Sequence, residues 1–164
     1  MRDPRFIAEH RGGSLDRESH ACLVRWAVDC AERVIEYFEQ RSNDPRPRNA
    51  LEIGRKWANG EVKTGVAMKA SVAAHAAARE VEGSAAISAA RAAAQAVATA
   101  HFADHSVVAL LYAMKALEVS GIYPNAEFQQ QICKLPMHLR APVESGVTFR
   151  AERLGILKPR IAER

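Results

Sequence analysis

The sequence predicts an all-α protein, a compact helical bundle or stacked helical hairpins of about six or seven helices. Three observations carry that expectation. Alanine, the best intrinsic helix former, supplies roughly a fifth of the 164 residues, and small side chains let helix axes approach to about 8 Å. Apolar residues recur at steps of three and four from Leu23 onward. No stretch of useful length alternates with period two, as a half-buried strand does.

Gly12 and Gly13 close an irregular arm over residues 1–14, and Ser14 or Asp16 can cap a first helix. Leu23, Trp26, Ala27, Cys30, Val34, Tyr37 and Phe38 share one face of that helix. Arg25, Asp29 and Arg33 follow at four-residue steps on the other, which reads as a solvated ion-pair ladder. Behind Asp44, Pro45 and Pro47 suit the first turn of a second helix, which runs through Leu51, Gly54 and Trp57 to Gly60. Gly54 lies on the apolar stripe, so another helix is expected to cross closely there. Thr64 can cap a third helix, and Gly83 with Ser84 makes a tight antiparallel turn into a fourth.

A single helix over 84–119 would run roughly 54 Å at 1.5 Å per residue, too long for a domain of this size to cover. The spacing therefore predicts a break from His101 to Asp104. Asp104 then caps a helix from His105 to Val119, and its carboxylate satisfies the first N–H groups. His101 falls in the last turn of the preceding helix, where an imidazole suits the open carbonyls. Asn125 caps a further helix reaching Leu135. Pro136 and Pro142 are expected to break the basic segment 136–164 into short helical pieces. The length suits a single domain over 1–164.

The formal charge is +4, and the whole excess lies from Lys134 to Arg164, where seven basic residues face three acidic ones. Nucleic-acid binding through that segment is disfavoured, because Phe149 is its one aromatic and none are interleaved with the charges. Cys22, Cys30 and Cys133 are odd in number and form no CxxC pair, which suits a reducing cytosol. The charged start MRDPRFIAEHRGG lacks the apolar run of a signal peptide, and no apolar stretch is long enough to cross a membrane. A soluble, cytoplasmic protein is expected. Phosphate-binding glycine loops and the nucleophile elbow are absent, so no catalytic residue and no cofactor is assigned.

His101 and His105, four apart, match half of a helical zinc pattern, with Asp104 beside them. Phe102 stands where the hydrolytic base would be, and a third ligand is required. His75 falls on the order of 15 Å from His101 along antiparallel helices, beyond the reach of one metal. Glu61, His20 and Asp29 stay open through tertiary contacts. A metal-dependent enzyme or metal sensor using His101 and His105, with Asp104, is thus the alternative. Hydrogen-bonded corner histidines are the expectation.

Three stretches, DPRPRNALEIGRKWANGEV from Asp44, AAHAAAREVEG from Ala73 and AAAQAVATAHFADHSVVALLYAMKAL from Ala92, point to a family. With RWAVDCAERV of the first helix, they resemble bacterial immunity proteins of polymorphic-toxin systems, over roughly residues 15 to 120. The resemblance implies a helical, non-catalytic protein that binds and neutralises a cognate toxin. Charge complementarity then asks for a neutral or acidic toxin surface. A homo-oligomer also stays open, since alanine-rich faces close a monomer or make a dimer equally well.

Overall fold

The computed structural model describes residues 3–156, and among these it holds eight α-helices and no strand. An arm of two 3-10 turns, Pro4–Phe6 and Glu9–Arg11, precedes α1 (Arg17–Glu32) and the single turn α2 (Glu36–Glu39). Then come α3 (Arg46–Ala58), α4 (Thr64–Glu80), α5 (Ser84–Ala98) and α6 (His105–Val119). The chain continues through α7 (Asn125–Lys134) and α8 (Met137–Ala151) to a last 3-10 turn, Glu152–Leu154.

The spine is α5. Ten of its fifteen residues are buried, mostly alanines, so it can touch α1, α2, α3, α4 and α6 at once. Helices α4, α5 and α6 lie side by side; α1 and α3 cover the inner face of α5, and α8 covers α6. Larger side chains close the remaining space, among them Phe38, Phe128, Leu23, Leu110 and Leu111, each almost fully buried. Gly54 sits where α3 crosses α1 and α5. A Cβ there would stand 2.8 Å from Val28 Cγ2 and 3.8 Å from the Val97 backbone. That is the close crossing expected of it.

The turn between α4 and α5 falls at Gly83, whose φ of 98° favours glycine. Asp16 caps α1 as expected, accepting from the Ser19 N–H at 2.7 Å. The first helix is shorter than its apolar stripe suggested: the stripe continues past Arg33, but the backbone turns and re-forms one helical turn at α2. The 101–104 break is present.

Three expectations are corrected. The Arg25–Asp29–Arg33 ladder is not a solvated row within α1. Asp29 and Glu32 instead hold Arg55 of α3 at 3.1 and 2.5 Å, Arg33 reaches Glu127 of α7 at 3.2 Å, and Arg25 donates to the Ala58 carbonyl. Neighbouring helices offered these charges better-placed partners than the next turn did. Thr64, Ser84 and Asn125 do not cap helices but begin them, after Lys63, Gly83 and Pro124. Thr64 Oγ1 accepts from the Trp57 indole at 3.0 Å instead.

Pro142 does not break its helix. It lies buried inside α8, where Leu139, Val143 and Val147 pack on the core and compensate the one lost N–H bond. Of the basic segment, Lys158, Arg160 and Arg164 lie outside the described residues. Among the described residues no helix is long and apolar enough to cross a membrane.

Candidate functional site

The corner joining α5 to α6 gathers polar and aromatic side chains. Thr99 to Asp104 leave the helical path, and the arm folds over them. Phe6, Ala8 and Leu15 of the arm are buried, and Arg11 places its guanidinium 4.4 Å above the Phe102 ring. Phe102 in turn stacks on His101, with ring centres 4.0 Å apart. His101 thus belongs to an aromatic contact beneath the arm, just beyond the last turn of α5.

Asp104 is at the start of α6 but does not cap it with its side chain. Its carboxylate, 8% exposed, meets Arg150 of α8 at 2.5 Å, while the same guanidinium donates to the Asp104 carbonyl at 2.6 Å. The expected cap is therefore corrected: the aspartate fastens α8 to the corner. A two-pronged, partly buried arginine contact outcompetes a local turn because both of its bonds are charge-assisted.

His105 points elsewhere. Its Nδ1–H donates to Gln95 Oε1 at 2.7 Å, and the Gln95 amide donates to His75 Nε2 at 3.4 Å. A row of three polar side chains thus crosses the outer face of α4, α5 and α6. Helix lengths alone keep His75 away from His101, but the long Gln95 side chain links His75 to His105. Burial, with Arg91 and Arg79 nearby, holds the His75 imidazole below its ordinary pKa of 6.5. The row itself contains no carboxylate, hydroxyl or thiol. Among the described residues, no three His, Cys, Asp or Glu side chains converge as a metal site would require.

His20 is more central than the sequence suggested. It is 4% exposed, its Nε2–H donates to the Thr99 carbonyl at 2.7 Å, and its ring packs on Trp57 at 4.9 Å. Burial is the main cause that lowers its pKa, the bond to Thr99 opposes it, and Arg17 adds to the depression. A signal existed: position 20 lies three and four residues before Leu23 and Val24, so it falls on the apolar stripe of α1. Of the other metal candidates, Asp29 is spent on Arg55, and Glu61 accepts from Asn59 at 3.0 Å.

The cysteines show no shared site. Cys22, Cys30 and Cys133 are all free thiols, and burial pushes the Cys30 thiol well above its ordinary value.

The model of a protein family described as Imm-5 like putative immunity protein matches residues 13–138. No curated protein and no solved structure matches the chain.

Proposed function

Since the chain belongs to the Imm-5 like putative immunity protein family, we propose that it binds a cognate toxin and neutralises it without catalysis. The observation that carries this reading is the length of the match, which runs from the end of the arm to the start of α8. We assign the work to the cytoplasm of the producing cell, where a reducing environment keeps the three thiols free.

The charged face of α1 is a poor interface, because its acids and arginines are consumed by α3 and α7. The outer face of α4, α5 and α6 suits an interface better. On α4, Met68 is 43% exposed and Val72 is 68% exposed, one turn apart. The His75–Gln95–His105 row lies beside them. Apolar anchors next to fixed hydrogen-bonding groups are the usual anatomy of a protein interface. Exposed Lys69 and Arg79 on the same helix fit a partner surface that is neutral or acidic.

The test is protection. Cells expressing the toxin encoded beside this protein should grow when the protein is co-expressed. Val72→Asp should abolish protection while leaving the melting temperature of the purified chain nearly unchanged. Toxin-expressing cells that die despite abundant folded wild-type protein would refute the reading. Full protection by Val72→Asp would move the interface off α4.

A further inference from the structure

Two adjoining cavities, of 230 and 210 Å³, lie between the arm, the start of α1 and the 99–104 corner. They share Ala8, Arg11, His20 and His101 as walls. Both are smaller than the roughly 300–1,000 Å³ of ordinary drug-sized sites, so any occupant has few heavy atoms. Met68, Val72, His75, Gln95 and His105 of the proposed toxin face are not among their walls, so a ligand bound in them can be read without the toxin.

The chemistry of the walls is specific. His20 spends its one ring proton on the Thr99 carbonyl, so Nδ1 is left as a bare acceptor on a buried side chain. No donor among the described residues bonds to that nitrogen. Beside it, two guanidiniums sit over aromatic rings: Arg17 over Trp57 at 4.6 Å and Arg11 over Phe102 at 4.4 Å. A cation–π contact holds a guanidinium in place without using its N–H groups, which stay able to bind an anion.

Arg17 commits one N–H to the Trp57 carbonyl and Arg11 one to His10, each at a long 3.4 Å. Neither makes an ion pair among the described residues. Elsewhere in the fold Arg46, Arg48, Arg55 and Arg150 are each locked to carboxylates. The charged and titratable groups lining the cavities are Glu9, His10, Arg11, Arg17, His20 and His101, so fixed positive charge exceeds negative. Glu9, the one carboxylate among them, lies on the exposed arm.

We propose that these cavities bind a small oxyanion that also carries a hydroxyl group. The anionic oxygens accept from Arg11 and Arg17, and the hydroxyl donates to His20 Nδ1. A hydroxycarboxylate and a singly protonated phosphate share that pattern. Sulfate, which keeps no proton near neutral pH, presents only the first half of it. A bound oxyanion would bridge the arm to α1, and so stabilise the arm by mass action.

The test is titration calorimetry with thermal melting on the full chain, using inorganic phosphate, lactate and sulfate as probes. Saturable binding of phosphate, lactate or both is expected, with sulfate at least about tenfold weaker because the acceptor nitrogen loses its donor. Binding of phosphate alone assigns the site to phosphates, and of lactate alone to hydroxycarboxylates. Arg17→Gln should weaken binding about tenfold or more, and Arg11→Gln, on the exposed arm, gives the same reading should the first variant fold poorly. Lys134→Gln, on α7, should leave binding unchanged. No saturable response to phosphate or lactate overturns the proposal, as does wild-type affinity in both arginine variants. Equal sulfate affinity, or a ring-nitrogen spectrum showing His20 protonated at Nδ1 in the free chain, overturns the acceptor role.

Discussion

The α5 spine and the corner at its end are neighbours in sequence and opposites in physics. Along α5, alanine after alanine is sealed from solvent, and five other helices approach a rod that carries almost no side chain. Directly after it the chain turns; Thr99, Phe102, Asp104 and His105 each take a partner from another element, and His101 packs on Phe102. The spine is stabilised by close packing, which is indifferent to pH and intolerant of volume. The corner is stabilised by directed bonds between distant parts of the chain, which tolerate volume and respond to charge. The difference teaches where this fold keeps chemistry: at the end of the packed rod, where the helix stops and side chains have room to choose partners.

Enlarging the spine should have the largest effect. Ala93 is fully buried in α5, and Ala93→Leu forces three extra carbons between packed helices. A loss of about 3 kcal/mol is expected, at the upper end for overpacking, read as a lower denaturation midpoint at constant slope. A loss below about 0.5 kcal/mol would mean the spine is looser than its burial implies.

At the corner, Arg150→Gln removes the guanidinium from the Asp104 carboxylate and carbonyl. Breaking a buried pair leaves an uncompensated charge, and the partial exposure of Arg150 reduces the penalty to about 2 kcal/mol. Adding Asp104→Asn should recover part of that loss, because the remaining partner is then neutral. A double variant no more stable than Arg150→Gln alone would show that charge is not what the contact answers to.

The mildest effect is with pH. His20 and His75 are both held below their ordinary 6.5, chiefly by burial. Above 6.5 neither form of the chain protonates them, and their full contribution to stability is present. As pH falls below 6.5 the unfolded chain takes up protons that the folded chain resists, so stability declines through the depressed values. The melting temperature should therefore drop on acidification through this window, and less steeply in His20→Gln. An unchanged slope in that variant would place the acid sensitivity elsewhere.

The contrast also separates what could be read in advance from what could not. Helix after helix was legible, down to the break at His101–Asp104, the Gly83 turn and the close crossing at Gly54. These follow from local propensity, from the three-and-four spacing of apolar residues, and from the length a compact fold can cover. At the corner the hydrogen bond of His105 was legible, but its partner Gln95 was not, nor were Arg11 over Phe102 and Arg150 on Asp104, since all three lie on other elements. His20 was obscure for the same reason: its position on the α1 stripe was visible, its carbonyl partner at Thr99 was not.

What the sequence by itself determined, then, is most of the helices from Arg17 to Lys134 and which face of each is apolar, because periodicity is a property of a single segment. The tertiary structure alone decided which charge meets which. Asp29 turned to Arg55 rather than to its own helix, Asp104 to Arg150 rather than to its own N–H groups, and Pro142 stayed within α8 because the core held the residues around it. Each is a competition between a local and a distant partner, and packing sets its outcome by bringing the distant one within bonding range.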